Sequence, residues 1–357
     1  MQTMTDTTFI PLFPYLQSTG IPTLWMADES ALDVLSHLEY IQQTLHIVSN
    51  RYDIYQLALD KGFSAEFNDF YFSELPWAPQ RIVYRVSKEK ALTHHLLNQA
   101  GGLLNHYGEL LISGKKQEGI KSYAQTLVDT LGAQGKLKKN KNNYFGVFTN
   151  LSTQQSLGNA YHEIRKISVG EHTIPSFFSK PGVFGWNKVD TGTQLLLESL
   201  PLILAESQSS THSILDLGCG YGWVTLNLPY YLPSDSHWQI TATDNNAAAL
   251  SCIKKNTEMY HMNVDIIAAD CAATIVQHFD LIICNPPFHQ GFSQNKALTE
   301  KFLYQTNKHL KKTGLAIFVV NEFIKLSVKK FDHLKNYQEW NKKNGFKVIS
   351  MSAKAKK

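Results

Sequence analysis

An Asp-led glycine loop, two further acids and an Asn-Pro-Pro-Phe tetrad are the residues whose types and spacing could do chemistry here. In "ILDLGCGYGWVTLNL", Asp216 stands just ahead of Gly218, Gly220 and Gly222. Glycines let a backbone turn sharply and come close to a ligand, and a helix that follows offers free N–H groups. A dinucleotide loop is spaced G-x-G-x-x-G around a pyrophosphate. Here the spacing is G-x-G-x-G, and the leading carboxylate would repel a pyrophosphate. The loop suits a ligand that carries an ammonium and a carboxylate, such as the amino-acid end of S-adenosylmethionine. Asp244 closes "TATD", where an acid accepts hydrogen bonds from both ribose hydroxyls; it could also cap the helix starting near Asn246. Asp270 closes "IIAAD" and is placed to meet an adenine amino group, or else is a solvated acid at a strand end.

The tetrad Asn285-Pro286-Pro287-Phe288 follows the apolar run "FDLIIC". Prolines end a strand because they lack the N–H that a ladder needs. They stiffen the turn and leave the Pro286 carbonyl free. Asn285 offers a second carbonyl, and Phe288 a flat face for a planar ring. Two acceptors aimed at one spot suit an –NH2 group whose lone pair is delocalised, and favour its pyramidalisation. The chemistry they imply is an in-line methyl displacement in which the protein supplies position and electrostatics. His289 is read as a packing or binding residue, since the amino proton can leave to water.

These residues need a doubly wound α/β sheet to hold them. "SILDL" (213–217), "WQITATD" (238–244), "VDIIAAD" (264–270), "FDLIIC" (279–284), "LAIFVV" (315–320) and "FKVISM" (346–351) read as strands separated by helical stretches. All three acids then fall at strand C-terminal ends, where open α/β sheets bind ligands. In the first half "LHIVSN" (45–50), "RIVYRV" (81–86) and "ELLISG" (109–114) read as strands, and "RYDIYQLALDKG" as a helix ending at Gly62.

Residues 90–114 align without a gap on 296–320, with Lys90/Lys296, Ala91/Ala297, Leu92/Leu298, Thr93/Thr299, Leu97/Leu303, Gln99/Gln305, Leu104/Leu310 and Gly108/Gly314 identical. Both copies read as helix, turn glycine, strand, which points to a duplicated domain. The polar stretch "NLSTQQSLGN" (150–159) suits a linker, and "HEIRKISVGEHTIPSFFS" reads as a hairpin with Gly170 at its turn. The expected division is residues 1–158 and 159–357. The first copy has no glycine loop after "LHIVSN" and no Asn-Pro-Pro-aromatic run ahead of "KALTHH".

At 357 residues the chain is long enough for two domains. A net charge of +4 permits an anionic partner without demanding one. Lysines gather in "KLKKNK" (136–141), read as a lysine-rich loop that could touch phosphates, and in the tail from Lys325 onward. The four cysteines are scattered with no C-x-x-C pair, no run is long and apolar enough to span a membrane, and the start has no signal-peptide pattern. A cytoplasmic, monomeric protein without a metal is expected.

"DLGCGYG" with "NPPF" resembles class I S-adenosylmethionine-dependent methyltransferases that act on an amino nitrogen. "KPGVFGWNKVDTGTQLLLESLP" (180–201) with "CNPPFHQG" resembles, more narrowly, the RsmC/RlmG family of rRNA guanine-N2 methyltransferases, over essentially the whole chain. The resemblance implies two tandem methyltransferase domains, the first degenerate and serving fold support and RNA docking. It implies S-adenosylmethionine as cofactor, held by Asp216, Gly218, Gly220, Gly222, Asp244 and Asp270, with Asp190 lining the cofactor pocket or capping its helix. Asn285, Pro286 and Phe288 would hold the target base. The implied substrate is guanosine 1207 of 16S rRNA in the 30S subunit. "GWNKVD" departs from the polar-basic run usual in relatives, and "HQG" combines features of the small- and large-subunit enzymes. The tetrad by itself also fits a protein-glutamine or adenine-N6 methyltransferase. An RNA chaperone with a vestigial fold is the non-enzymatic alternative; the intact loop and tetrad speak against it.

Overall fold

The computed structural model describes residues 4–39, 44–152, 154–158, 160–206, 212–232, 238–287 and 294–353. Two compact units divide the chain, Met1–Glu163 and Ile164–Lys357. Tyr161 lies before that division because its ring is fully buried in the core of the first unit.

The first unit contains strands β1 (Thr23–Ala27), β2 (Leu45–Ser49), β3 (Ser64–Phe67), β4 (Arg81–Arg85), β5 (Glu109–Lys115), β6 (Gln134–Asn140) and β7 (Asn143–Thr149). Its helices are α1 (Phe13–Leu16), α2 (Leu32–His37), α3 (Tyr52–Asp60), α4 (Lys90–Leu103) and α5 (Ile120–Asp129). The second unit opens with the antiparallel hairpin β8 (Arg165–Ser168) and β9 (Ser176–Ser179), and Gly170 in the intervening loop has φ +68°. It continues with α6 (Thr191–Ala205), β10 (Ser213–Leu217), α7 (Trp223–Tyr231), β11 (Gln239–Asp244), α8 (Ala247–Met259), β12 (Val264–Ala268), β13 (Phe279–Cys284), α9 (Gln294–His309), β14 (Leu310–Asn321), β15 (Asn336–Lys343) and β16 (Phe346–Ser352).

The sheet orders are β3-β2-β1-β4-β5-β7-β6 and β12-β11-β10-β13-β14-β16-β15, the same permutation strand for strand. In each, five parallel strands are followed by an antiparallel pair. The internal repeat thus extends from 25 residues to the whole topology. Its turn glycine is explained by packing. A Cβ on Gly108 would come within 2.8 Å of Leu104 Cδ2, and one on Gly314 within 2.8 Å of Leu310 Cδ1. The same leucine presses on the same glycine in both copies.

Central strands of a covered parallel sheet are apolar on both faces. In β10, Ile214 packs on one side with Leu281 and Ile283, while Leu215 and Leu217 pack on the other with Ile282 and Cys284. Each such side chain contributes about 1.5–3 kcal/mol when fully buried. That burial fixes the register in which β10, β11 and β13 end together.

Several elements differ from the sequence reading. Strands β1, β3, β6, β7 and β15 were not expected. The lysine-rich stretch 136–141 is not a loop: Lys136, Lys138 and Lys139 lie on the edge strand β6, and only Lys141, at φ +54°, lies in its turn. Edge strands tolerate lysines because one side of the ladder is open, and the charges discourage pairing with another chain. The counterpart of the glycine-loop position is also corrected. It follows β1, not "LHIVSN", because β1 holds the central place that β10 holds in the second sheet. No glycine stands there either. Asp28 follows β1 and caps a short turn by accepting from the Ser30 N–H.

In the first unit, Tyr161 is fully buried. Its Oη donates to Asp69 Oδ1 at 2.5 Å, and its ring stacks on His95. It belongs to the same buried cluster as Met26, Val48, Phe70 and Tyr84.

Candidate active site

The glycine loop turns between β10 and α7. Gly218, Gly220 and Gly222 have φ of +81°, +56° and +92°, values L residues rarely adopt. The loop is pinned to β11: the Gly218 and Cys219 N–H groups donate to the Thr243 carbonyl at 2.9 and 3.0 Å. The Gly220 N–H donates to Asp244 Oδ2 and the Asn246 N–H to Asp244 Oδ1, each at 2.9 Å. Asp244 therefore ties the loop to the start of α8, while the helix cap itself is Asn246, which accepts from the Ala248 N–H. A Cβ on Gly222 would meet Ile253 Cγ1 at 2.6 Å, whereas one on Gly220 would meet nothing within 4 Å. Gly222 is demanded by packing, and Gly220 leaves an open approach to the backbone.

Asp216 is 2% exposed and lies behind the loop. Its Oδ2 accepts from the Thr225 N–H at 3.1 Å and from Thr225 Oγ1 at 2.6 Å, so it braces α7 from within. Burial pushes its carboxyl up to about 6, and the Asp244 charge adds to this against the Thr225 hydrogen bonds. Asp270 accepts from Lys301 of α9, an ion pair the sequence reading did not anticipate. The chain then passes through Cys271 (φ +49°) and Ala272 (φ +62°), two consecutive left-handed residues that are not glycine. Such conformations cost on the order of 1–3 kcal/mol each and gather at functional sites.

The ladder of β13 ends at Cys284, and the Asn-Pro-Pro turn begins at once. Asn285 is half-buried and Pro286 buried. Phe288 and His289 lie outside the described residues. Asn285 Nδ2 donates to Asp190 Oδ1 at 2.9 Å and to Thr193 Oγ1 at 2.7 Å. Asp190 is the N-cap of α6 and accepts from the Thr193 N–H at 2.8 Å. Cys284 and Cys219 beside these groups are buried, which pushes both thiols well above their ordinary range. Neither is a nucleophile at neutral pH.

Sequence reasoning missed the residues that roof the loop. Asn256 is fully buried in α8. It accepts from the Phe178 N–H at 2.6 Å and donates to the carbonyls of Phe178 and Tyr221, both at 2.8 Å. Phe177 stacks on Tyr221 with centroids 4.1 Å apart. Asn246 Nδ2 holds the Gly182 carbonyl at 3.0 Å, so the "KPGVF" stretch is a scaffold against the α8 N-terminus. A signal for Asn256 existed: it continues the buried face Ala249, Cys252, Ile253 at helical spacing, where a polar residue needs partners.

The residues present fit S-adenosylmethionine. Open space lies over Gly220, and carboxylates stand at the ends of adjacent strands, which suits a ligand with an ammonium, a ribose diol and an adenine amine. A mostly parallel sheet built twice to one topology, with this loop at the end of the central strand of the second copy, is the fold of a class I methyltransferase. Residues 175–350 match the family described as "Methyltransferase small domain", and residues 22–143 match "Methyltransferase small domain N-terminal". Among curated relatives, the "Ribosomal RNA small subunit methyltransferase C" of Pseudoalteromonas translucida is 30% identical over 270 residues, 75% of this chain and 76% of the relative. The Haemophilus influenzae protein of the same name is 30% identical over 274 residues, 76% of this chain and 78% of the relative. The fold matches the solved structure of a Thermus thermophilus 16S rRNA N2 G1207 methyltransferase with AdoMet and guanosine. The TM-score is 0.79 at 20% identity, covering 99% of this chain and 93% of that one. The chain belongs to the ribosomal RNA small subunit methyltransferase C family, and it is an S-adenosylmethionine-dependent methyltransferase.

Proposed function

We propose that this chain methylates N2 of a guanine in 16S rRNA, at the position given for the Thermus thermophilus protein, guanosine 1207. The observation that carries the reading is the fixed Asn285 amide. Both of its N–H bonds are committed to Asp190 and Thr193, so its carbonyl is the group left to receive a donor. The Pro286 carbonyl follows where the ladder has ended. Two acceptors on one exocyclic amine position it and favour pyramidalisation as its lone pair attacks. The proton lost on methylation passes to water. Phe288 would stack on the base.

The cofactor supplies an electrophilic methyl group on a sulfonium. Gly218, Gly220 and Gly222 would let the backbone approach it, with Asp216 holding α7 and adding negative charge behind the loop. Asp244 would receive the ribose hydroxyls on the carboxylate that already orders Gly220. Asp270, oriented by Lys301, would receive the adenine amine.

The first unit, Met1–Glu163, serves as a fold-supporting and rRNA-docking domain, with the second, Ile164–Lys357, catalytic. Lys136, Lys138, Lys139 and Lys141 are exposed and enter no ion pair among the described residues, whereas Lys342 on β15, the corresponding edge, pairs with Glu339. Uncompensated lysines on one edge suit phosphate contact. The working form is a cytoplasmic monomer acting on the 30S particle. No helix among the described residues is long and apolar enough to cross a membrane.

Asn285→Ala tests the reading. Transfer should fall by at least about 10²-fold, a loss typical of removing a transition-state hydrogen-bond partner, while affinity for rRNA stays near that of the wild type. Equal loss of both would remove Asn285 from the chemistry.

A further inference from the structure

We propose that Asp190 and Thr193 are positioning residues whose task is to hold the Asn285 amide in one of its two orientations; this rests on Asn285 receiving the target amine. An amide turned over its Cγ axis keeps its shape but exchanges donor and acceptor. One orientation offers the target amine a carbonyl. The other would present N–H groups to it and abolish the acceptor pair.

The directions of the hydrogen bonds decide which orientation the chain enforces. A carboxylate can only accept, so the atom of Asn285 facing Asp190 Oδ1 at 2.9 Å must be Nδ2. Thr193 Oγ1 has one proton and donates it to Asp190 Oδ1 at 3.0 Å. It therefore faces Asn285 with a lone pair and accepts the second N–H at 2.7 Å. Turning the amide over would set its oxygen against a carboxylate and against an acceptor hydroxyl oxygen. Both alternatives are repulsive, and both amide N–H groups would lose their partners.

Three residues of the stretch "DTGT" (190–193) are explained on these terms. Asp190 caps α6 and accepts from Asn285. Gly192 leaves room: a Cβ there would lie 3.2 Å from Asp190 Oδ1 and 3.0 Å from the Phe346 ring, displacing the carboxylate. Thr193 donates its N–H to the cap and completes the amide's pair of acceptors. A cap alone would need Asp190 but would not need the Thr193 hydroxyl. A cofactor-lining role would not need Asn285 to be bound to either.

Asp190→Asn separates these roles, because Asn caps a helix about as well as Asp but tolerates either amide orientation. We expect its kcat to fall about 10²-fold, the scale of a misplaced reacting group, with the Kd for S-adenosylmethionine measured by calorimetry within about 3-fold of wild type. Thr193→Val, which keeps the shape and removes the acceptor, should lower kcat about 10-fold. Thr193→Ser, which restores the hydroxyl, should recover it to within about 3-fold. Wild-type transfer to 16S rRNA is measured in the same series, with thermal melts on every variant. Loss of cofactor affinity in step with rate would return Asp190 to the cofactor pocket and overturn the proposal. So would a Thr193→Val enzyme of wild-type rate, or rate losses that only track loss of folded protein. Wild-type protein that transfers nothing to an amino nitrogen would remove the function reading and the orientation role with it.

Discussion

Gly220 and Gly222 are two residues apart, share a left-handed backbone and should fail in different ways when given a methyl group. At both, an alanine pays for its φ with about 1–2 kcal/mol. At Gly222 the new Cβ also meets Ile253 Cγ1 at 2.6 Å and Cδ1 at 3.0 Å. Overpacking of that kind costs a further ~1–3 kcal/mol. Gly222→Ala should therefore lose about 2–5 kcal/mol of stability, and Gly220→Ala about 1–2. Ligand binding should rank the other way. The Gly220 methyl would point into open space beside the loop, where the cofactor must approach, and should weaken S-adenosylmethionine by at least about 10-fold. Urea unfolding and titration calorimetry on the two variants read both quantities. Adding Ile253→Ala to Gly222→Ala removes the colliding atoms, so the pair should be less harmful than the sum by about 1–3 kcal/mol. Equal stability losses at the two glycines, or wild-type cofactor affinity in Gly220→Ala, would refute the division of labour.

Two further outcomes follow from the same geometry. The Asp216 carboxyl, pushed up to about 6 by burial, binds its proton more tightly in the folded chain than in the unfolded one. Its contribution to stability is complete below about pH 4 and is lost as pH rises through about 6, on the order of 2–3 kcal/mol. Asp216→Asn does not titrate and still accepts from Thr225, so urea midpoints from pH 4 to 7 should decline less in the variant; parallel declines would contradict this. Replacing Lys136, Lys138, Lys139 and Lys141 by Gln should weaken 16S rRNA binding and lower the slope of log K against log salt by about 0.7–0.9 per lost phosphate contact. The kcat at saturating rRNA should be unchanged, and an unchanged salt slope would move the docking surface elsewhere.

Much of the second unit was legible because its central strands are apolar on both faces and end in marked residues. "SILDL" and "FDLIIC" are strands at the stated residues because their burial leaves no alternative register. The edges were not legible. β6 and β15 are polar, since an edge strand has one neighbour and much of its surface in water, and "NYQEWNKK" carries no alternation to find. β1 was not legible because Leu24, Met26 and Ala27 of "TLWMA" favour helix as readily as strand. The types of the site residues were legible, but their partners were not. Lys301 lies 31 residues from Asp270, and Asp190 lies 95 from Asn285. Only the fold brings such pairs together. For Asp190, the helix cap and the contact with Asn285 are roles of one carboxylate oxygen, which a linear motif does not separate.

The most direct test of the central claim is the identity of the methylated product. Labelled S-adenosylmethionine is offered with this protein to unmodified 30S subunits, 50S subunits and release factors in parallel, and the labelled product is identified by mass spectrometry. N2-methylguanosine confined to 16S rRNA is the expected result. The same nucleoside only in 23S rRNA, methylglutamine in a release factor, N6-methyladenosine, or no label at all would contradict it.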